Sequence, residues 1–378
     1  MSHRSTKRQS GYSLLEMTVS IALGSVVLAA AVQIYIQGVN ATWTTTQRAE
    51  LQQDFRAASN ILTKDLSLAG AGLTPGAAIA LPSTSTPVYG CDQSGTCYIN
   101  GGSVAYPKQG STAYLYGLLP GYDDGPILLA VQGATDVVTT VYADSTFYLD
   151  CYTATITSTT TVSFTLNAAS SNCTAGSNTI QAVNDSAAGL VAGDLVLFTF
   201  GSTNVVAEVT TAATSGGVAT FATGDALKFN QGAAVNYSLA SQYNSHTPVT
   251  GYGTRIDVIS YYIDNSPSPP RLMRQVSGHT PVPVAENVVY LKFTYDLFNT
   301  STDTPAVACS NPGAASDGCS GTSTGLLPNA ITKINVANMA IDSTLNSSQF
   351  GQANGYQRMD LQTSICARNL TYVNNYPN

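Results

Sequence analysis

Tyr12 to Ile36 reads YSLLEMTVSIALGSVVLAAAVQIYI, 25 residues in which Glu16 carries the single charge. No charged residue follows from Met17 to Gln47. As an α-helix the stretch measures about 37 Å, enough to cross a hydrocarbon core of roughly 30 Å. Ahead of it stands MSHRSTKRQSG, residues 1–11, with Arg4, Lys7 and Arg8 and no acid. A basic flank of this kind stays cytoplasmic and directs the C-terminal bulk outward. A cleaved signal peptide also opens with a basic and then an apolar region, and Ala29-Ala30-Ala31 imitates its cleavage site. The helical pattern does not break there. No Pro occurs before Pro75, and Leu51, Phe55, Ala58, Leu62 and Leu66 recur at spacings of 4, 3, 4 and 4, one face of a helix. Arg48, Gln52, Arg56 and Lys64 lie largely off that stripe, and Gly70, Gly72 and Pro75 end it. The pattern therefore predicts a helix over 12–70, its 12–36 portion spanning a membrane.

The composition of the 378 residues agrees with export. Charged residues are 10%, against about 25% in ordinary soluble domains. The net charge of −7 becomes −10 without the basic leader, which disfavours a nucleic-acid binder. Seven cysteines stand at 91, 97, 151, 173, 309, 319 and 366, none in a C-x-x-C arrangement. Their local spacing suggests disulfides Cys91–Cys97, Cys151–Cys173 and Cys309–Cys319, as in an oxidising compartment. Cys366 is left over and is expected as a buried thiol in an apolar final strand.

Gly11-Tyr12-Ser13-Leu14-Leu15-Glu16 resembles the cleavage and methylation motif of type IV prepilins: a Gly ending a basic leader, an aromatic residue, and an acid five places after the Gly. The resemblance implies that a prepilin peptidase cuts between Gly11 and Tyr12 and N-methylates Tyr12. It also implies that Glu16 pairs with the freed α-amino group and sets the stagger between filament subunits. Implied partners are that peptidase, other major and minor pilins, the pilus assembly platform and inner-membrane lipid. The implied location is the inner membrane, with the head periplasmic, and then the pilus. Major pilins often carry a Pro midway along the apolar helix; this chain has Gly24 and Gly38 instead. An intramembrane acid is a functional candidate by default, the bland alternative being that Glu16 reaches the headgroups.

After Gly72 the texture turns to short β-like runs with Gly, Pro, Asn and Ser turns. Expected strands are 113–119, 136–143, 147–152, 162–166, 195–200, 205–209, 255–263, 271–275, 288–297, 333–340 and 360–370. The run Arg255–Ile263, then a Pro-rich turn and Arg271–Arg274, reads as a hairpin. The predicted fold is α+β: the long helix packed on an antiparallel, pilin-like β head formed by 71–160 and 236–378. Residues 161–235, rich in Ala, Thr, Gly and Val, read as a small all-β insertion. Asp136-Val137-Val138-Thr139 with Tyr142, Gly193-Asp194, Leu272-Met273-Arg274 and Leu361–Leu370 resemble the PilW family of minor pilins. The J-type pseudopilins of type II secretion are the nearest alternative. A membrane-anchored adhesin or carbohydrate-binding protein is a third reading.

Other motifs carry little. Gly321–Gly325 fits G-x-S-x-G, but no His follows Ser323, so the Ser, Asp, His order of that fold cannot be met. Asp123-Asp124-Gly125 offers oxygen ligands for calcium, yet reads better as a solvated turn. His246 and His279 sit in Pro/Thr-rich loops and are expected to be exposed. Asn172-Cys173-Thr174 matches a glycosylation acceptor in a composition where such matches arise by chance. Trp43 suits a membrane interface or a core equally. The 21 Tyr suggest sheet packing before an adhesive surface. No catalytic residue, cofactor or metal site is assigned, and the chain is not expected to be an enzyme.

Overall fold

The computed structural model describes residues 11, 13–73, 78–167, 173, 180–245, 249–266, 268–299, 304–313, 319, 326–343, 356–367 and 369–370. The chain divides into two compact units, Met1–Gln52 and Gln53–Asn378. The fold is α+β: helix α1 (Leu14–Ser67, 54 residues) followed by a β-rich domain. Helix α1 runs through Gly24 and Gly38 without interruption. His246, Ser323 and the G-x-S-x-G run lie outside the described residues, as do Asn172 and Thr174.

A ten-stranded sheet dominates the second unit. Its members are β1 (Leu118–Gly121), β2 (Val137–Ala143), β3 (Tyr152–Ser158), β4 (Thr161–Leu166), β5 (Leu195–Phe200), β6 (Thr203–Glu208), β7 (Val218–Thr220), β8 (Val249–Asp264), β9 (Arg271–Val276) and β10 (Val282–Glu286). The 16-residue β8 organises it. Its first part pairs with β3 and β5, and its second with β2 and β9, all antiparallel. The β8–β9 hairpin is the one expected from Arg255–Arg274. A second sheet, in the order β12-β11-β13-β14, comprises β11 (Val288–Asn299), β12 (Thr304–Cys309), β13 (Ile331–Asp342) and β14 (Arg358–Cys366).

Strand β8 is buried nearly throughout from Ile256 to Ile263 because both of its faces are covered. Ile256, Val258 and Tyr262 join a core with Tyr89, Tyr106, Leu115 and Phe229. Tyr261, on the opposite face, meets α1. A second core gathers Phe147, Ala154, Phe164, Phe198, Phe221 and Val249. It draws on residues either side of 161–235 as well as on that segment, whose four strands hydrogen-bond into the same sheet as their neighbours.

The helix stripe behaves as the spacing requires: Leu51, Ala58, Leu62 and Leu66 are buried, Phe55 is half-buried, and Arg48, Gln52, Arg56 and Lys64 are exposed. Beyond the helix, Gly70 and Gly72 have φ of +75° and +70°. The Gly70 N–H donates to Val141 O, and the Ala143 N–H to Ala71 O, both at 2.8 Å. A Cβ at Gly72 would stand 2.5 Å from the Ala143 methyl, so only glycine lets the chain close on β2 here.

Three expectations need correction. Residues 147–152 do not form a strand. Leu149–Cys151 is a single 3-10 turn, and β3 begins at Tyr152. Burial alternates over Phe147, Leu149 and Cys151 as in a strand, but the backbone closes with the Cys151 N–H on Tyr148 O. Residues 113–119 split into Thr112–Leu115 and β1, because Gly117 passes against the helix exit, where a Cβ would lie 2.8 Å from Gly70 Cα. Cys366 is exposed: β14 alternates, burying Ile365 and turning Cys366 outward. The three disulfides pair as the spacing suggested.

Candidate functional site

The first turn of α1 is closed by its own side chains. The Ser13 N–H donates to Glu16 Oε2 at 3.1 Å, and the Glu16 N–H donates to Ser13 Oγ at 3.3 Å. This reciprocal pair is a capping box, built on the Ser-x-x-Glu spacing. It satisfies two of the N–H groups that every helix leaves free at its start, and it sets a carboxylate at the positive end of the helix dipole. Only Oε2 of Glu16 is engaged among the described residues. Sequence reading singled out Glu16 but missed Ser13, although the spacing alone signals the box.

Along the apolar part the Ser and Thr side chains are self-contained. The hydroxyls of Thr18, Ser20, Ser25, Thr42, Thr44, Thr45 and Thr46 each donate to a backbone carbonyl three or four residues back, at 2.7–3.0 Å. A hydroxyl satisfied in this way carries no open donor into lipid. Leu14, Leu15, Ile21, Val27, Leu28, Ile34 and Tyr35 are all more than 60% exposed. Such a length of bare apolar surface needs lipid or other chains to cover it. Trp43 is 38% exposed.

Lower on α1, in the second unit, the buried Asp65 fastens the helix to the sheet. Tyr261 Oη on β8 donates to its Oδ2 at 2.6 Å, Arg274 Nε on β9 at 2.7 Å, and Tyr142 Oη on β2 reaches Oδ1 at 3.4 Å. Burial and the Asp65 charge both push the Tyr261 phenol up. Burial opposes the Arg274 charge, but Asp65 outweighs it and raises that pKa.

Two further ion clusters brace the domain. Asp136 accepts from Lys292 Nζ at 2.7 Å and from the backbone N–H of Asp123 and Phe293, tying β2 to β11. Lys292 also pairs with Asp123. Asp123 therefore belongs to an ion cluster and is not simply a solvated turn residue. Asp194 accepts from His279 Nε2 at 2.8 Å and stands 3.5 Å from Arg255 NH1, while Arg255 pairs with Asp144. His279 is thus half-buried and partnered, where an exposed loop residue was expected. Among the described residues no three His, Cys, Asp or Glu side chains gather as metal ligands.

Residues 6–32 match the family model described as the prokaryotic N-terminal methylation motif. The chain carries a prepilin-type N-terminus. This motif, together with a helix long and apolar enough to cross a membrane, supports a type IV pilin or pseudopilin type of protein. It implies processing by a prepilin peptidase, association with other pilins, and membrane anchoring before assembly. No curated protein and no solved structure matches the chain.

Proposed function

We propose that this prepilin-type chain is a minor pilin of the PilW kind, cut between Gly11 and Tyr12, N-methylated on Tyr12, and built into a type IV pilus or used to prime its assembly. Before assembly it sits in the inner membrane with its N-terminus cytoplasmic and its β head periplasmic. The observation that carries this reading is the run from basic leader to Gly11 to Glu16 to an uncharged helix, coinciding with the methylation-motif match over residues 6–32. The scissile bond precedes the first helical residue, Leu14, so cleavage removes no helical turn. Cutting there leaves an α-amino group four residues before Glu16, whose second oxygen is open to an amine. Charge pairing in an apolar filament core is worth far more than in water, which suits one acid per chain to fixing register.

The PilW reading over a J-type pseudopilin draws on Asp136, Tyr142, Asp194 and Arg274. The same residues that carry that resemblance are ones this fold uses as ion-pair and hydrogen-bond hubs. The decisive measurement is intact and N-terminal mass spectrometry of the membrane form. N-methyl-Tyr12 is expected; a retained Met1, or a terminus near Ala31, overturns the reading. Glu16→Ala should still insert but be depleted in the sheared pilus fraction, and equal recovery would refute the assembly role.

A further inference from the structure

Strand β6 ends in an enclosed acid. From Val205 to Glu208 every residue is buried, so both faces of the strand are covered, and Glu208 is 1% exposed. The run 222–231, which follows β7, is fastened onto this residue. The Asn230 carboxamide spans the Glu208 backbone: its Oδ1 accepts from the Glu208 N–H at 3.1 Å, and its Nδ2 donates to Glu208 O at 2.7 Å. The Leu227 N–H donates to Glu208 Oε2 at 3.3 Å. The Asp225 and Glu208 side chains are hydrogen-bonded to each other. Asp225 also holds the turn, its two oxygens accepting from the Phe229 and Asn230 N–H groups at 2.7 and 2.8 Å. Further out, the Val88 N–H donates to Leu227 O, and Gln231 exchanges two bonds with Ser85. The run thereby carries Leu227 and Phe229 into the core, where Phe229 lies edge-on to Tyr106 at 5.6 Å.

Two carboxyl groups joined by a hydrogen bond cannot both be ionised, because the bond is a proton that one donates and the other accepts. The surroundings offer no substitute for that proton. Lys228, the cation of the run, is exposed. Beyond β9, His279 is paired with Asp194, and a Cβ at Gly278 would stand 3.3 Å from Glu208 Oε1. On another side is the buried Tyr106 phenol, whose Oη has no partner among the described residues and which feels the Glu208 charge. Burial first, and then Asp225, push the Glu208 carboxyl up to about 8.

We propose that residues 222–231 are a pH-operated strap, shut while Glu208 and Asp225 share a proton and released when it leaves, baring Leu227 and Phe229. On release the Glu208 O–H bond breaks, the proton passes to water, and two carboxylates are left facing each other without a cation. An open strap puts Glu208 in water, where its pKa returns towards the ordinary 4.5. Opening therefore sheds one proton at any pH between those two values, and it is favoured as pH rises.

The strap needs no filament to operate, so the test uses the full-length chain in detergent micelles. Amide hydrogen exchange is followed from pH 6.5 to 9 and expressed as protection relative to the intrinsic rate at each pH. Protection of the Leu227, Phe229 and Asn230 amides should fall about tenfold per pH unit up to about pH 7.5 and level off above about 8.5. Over the same range the amides of β8 from Ile256 to Ile263 should stay protected. In Glu208→Gln, whose carboxamide can donate to Asp225 at every pH, strap protection should hold within about twofold. Flat protection in wild type overturns the strap. So does a tenfold slope that survives in Glu208→Gln, or a loss of β8 protection by the same factor as the strap, which would mean that the whole sheet opens. Should Glu208→Gln fail to fold, Asp225→Asn decides. Removing the facing charge should lower the pH at which the slope levels off by about one unit or more, and an unmoved end point overturns the shared proton.

Discussion

Asp65 is the sharpest point at which to challenge the fold. Asp65→Ala deprives Tyr261 and Arg274 of their shared acceptor. Tyr261 is fully buried, so a lost partner there costs about 1–3 kcal/mol. Breaking a fully buried ion pair costs about 3–5 kcal/mol. The Arg274 side chain is 24% exposed and water can take up part of its charge, which brings that share to about 2 kcal/mol. Alanine's better helix propensity returns about 0.5 kcal/mol. The net loss is about 3–4 kcal/mol. For a unit of about 330 residues the unfolding entropy is about 0.7 kcal/mol per kelvin, so the melting temperature should fall by about 5 °C. The assay is a thermal melt of the full chain in detergent, followed by the near-ultraviolet circular dichroism of its tyrosines. A double-mutant cycle with Arg274→Met should return a coupling of about 1–2 kcal/mol. A drop under about 1.5 °C together with zero coupling would refute the view that this carboxylate fastens helix to sheet.

Three further outcomes are expected. Burial first, and then the neighbouring Asp225, push the Glu208 carboxyl from its ordinary 4.5 up to about 8. The folded chain therefore holds a proton there that the unfolded chain has released, and stability declines as pH rises towards 8. Asp257 acts in the same sense only up to about pH 6, so melts between pH 6.5 and 8.5 should show a decline that Glu208→Gln abolishes; an unchanged slope contradicts a raised Glu208 carboxyl. Under native, non-reducing conditions one thiol per chain, that of Cys366, should react with a maleimide, and reduction should then cost about 2–3 kcal/mol for each of the three loops it opens; two or more native thiols would contradict the pairing. Gly72→Ala should cost about 2–4 kcal/mol, since its Cβ meets Ala143 at positive φ, whereas Gly24→Ala, with nothing within 4 Å, should be neutral or stabilising in the same melt.

The helix stripe, the β8–β9 hairpin and the disulfides were legible because their signals are local: a 3.6-residue period, two β-rich runs around a Pro-rich turn, and short Cys spacings. Asp65 was not legible. Beside Lys64 on a polar-flanked helix it reads as one more solvated acid, and the residues that reveal its role lie 196 and 209 positions away. The false strand at 147–152 shows the limit of period-two burial as a signal, because a tight turn buries alternate residues equally well. Cys366 shows the converse. Counting the strand's alternation from Ile365 would have placed it outward, but the apolar neighbourhood dominated the reading.

The hydroxyls of Thr18, Ser20 and Ser25 fold back onto α1, so from Met17 to Val32 the rod shows no open side-chain donor. Such a surface is mute: it has no polar vocabulary with which to tell one apolar surrounding from another. That stretch can pass from lipid into a bundle of like rods with no side-chain hydrogen bond to break, which leaves the pairing at Glu16 to hold a subunit in place.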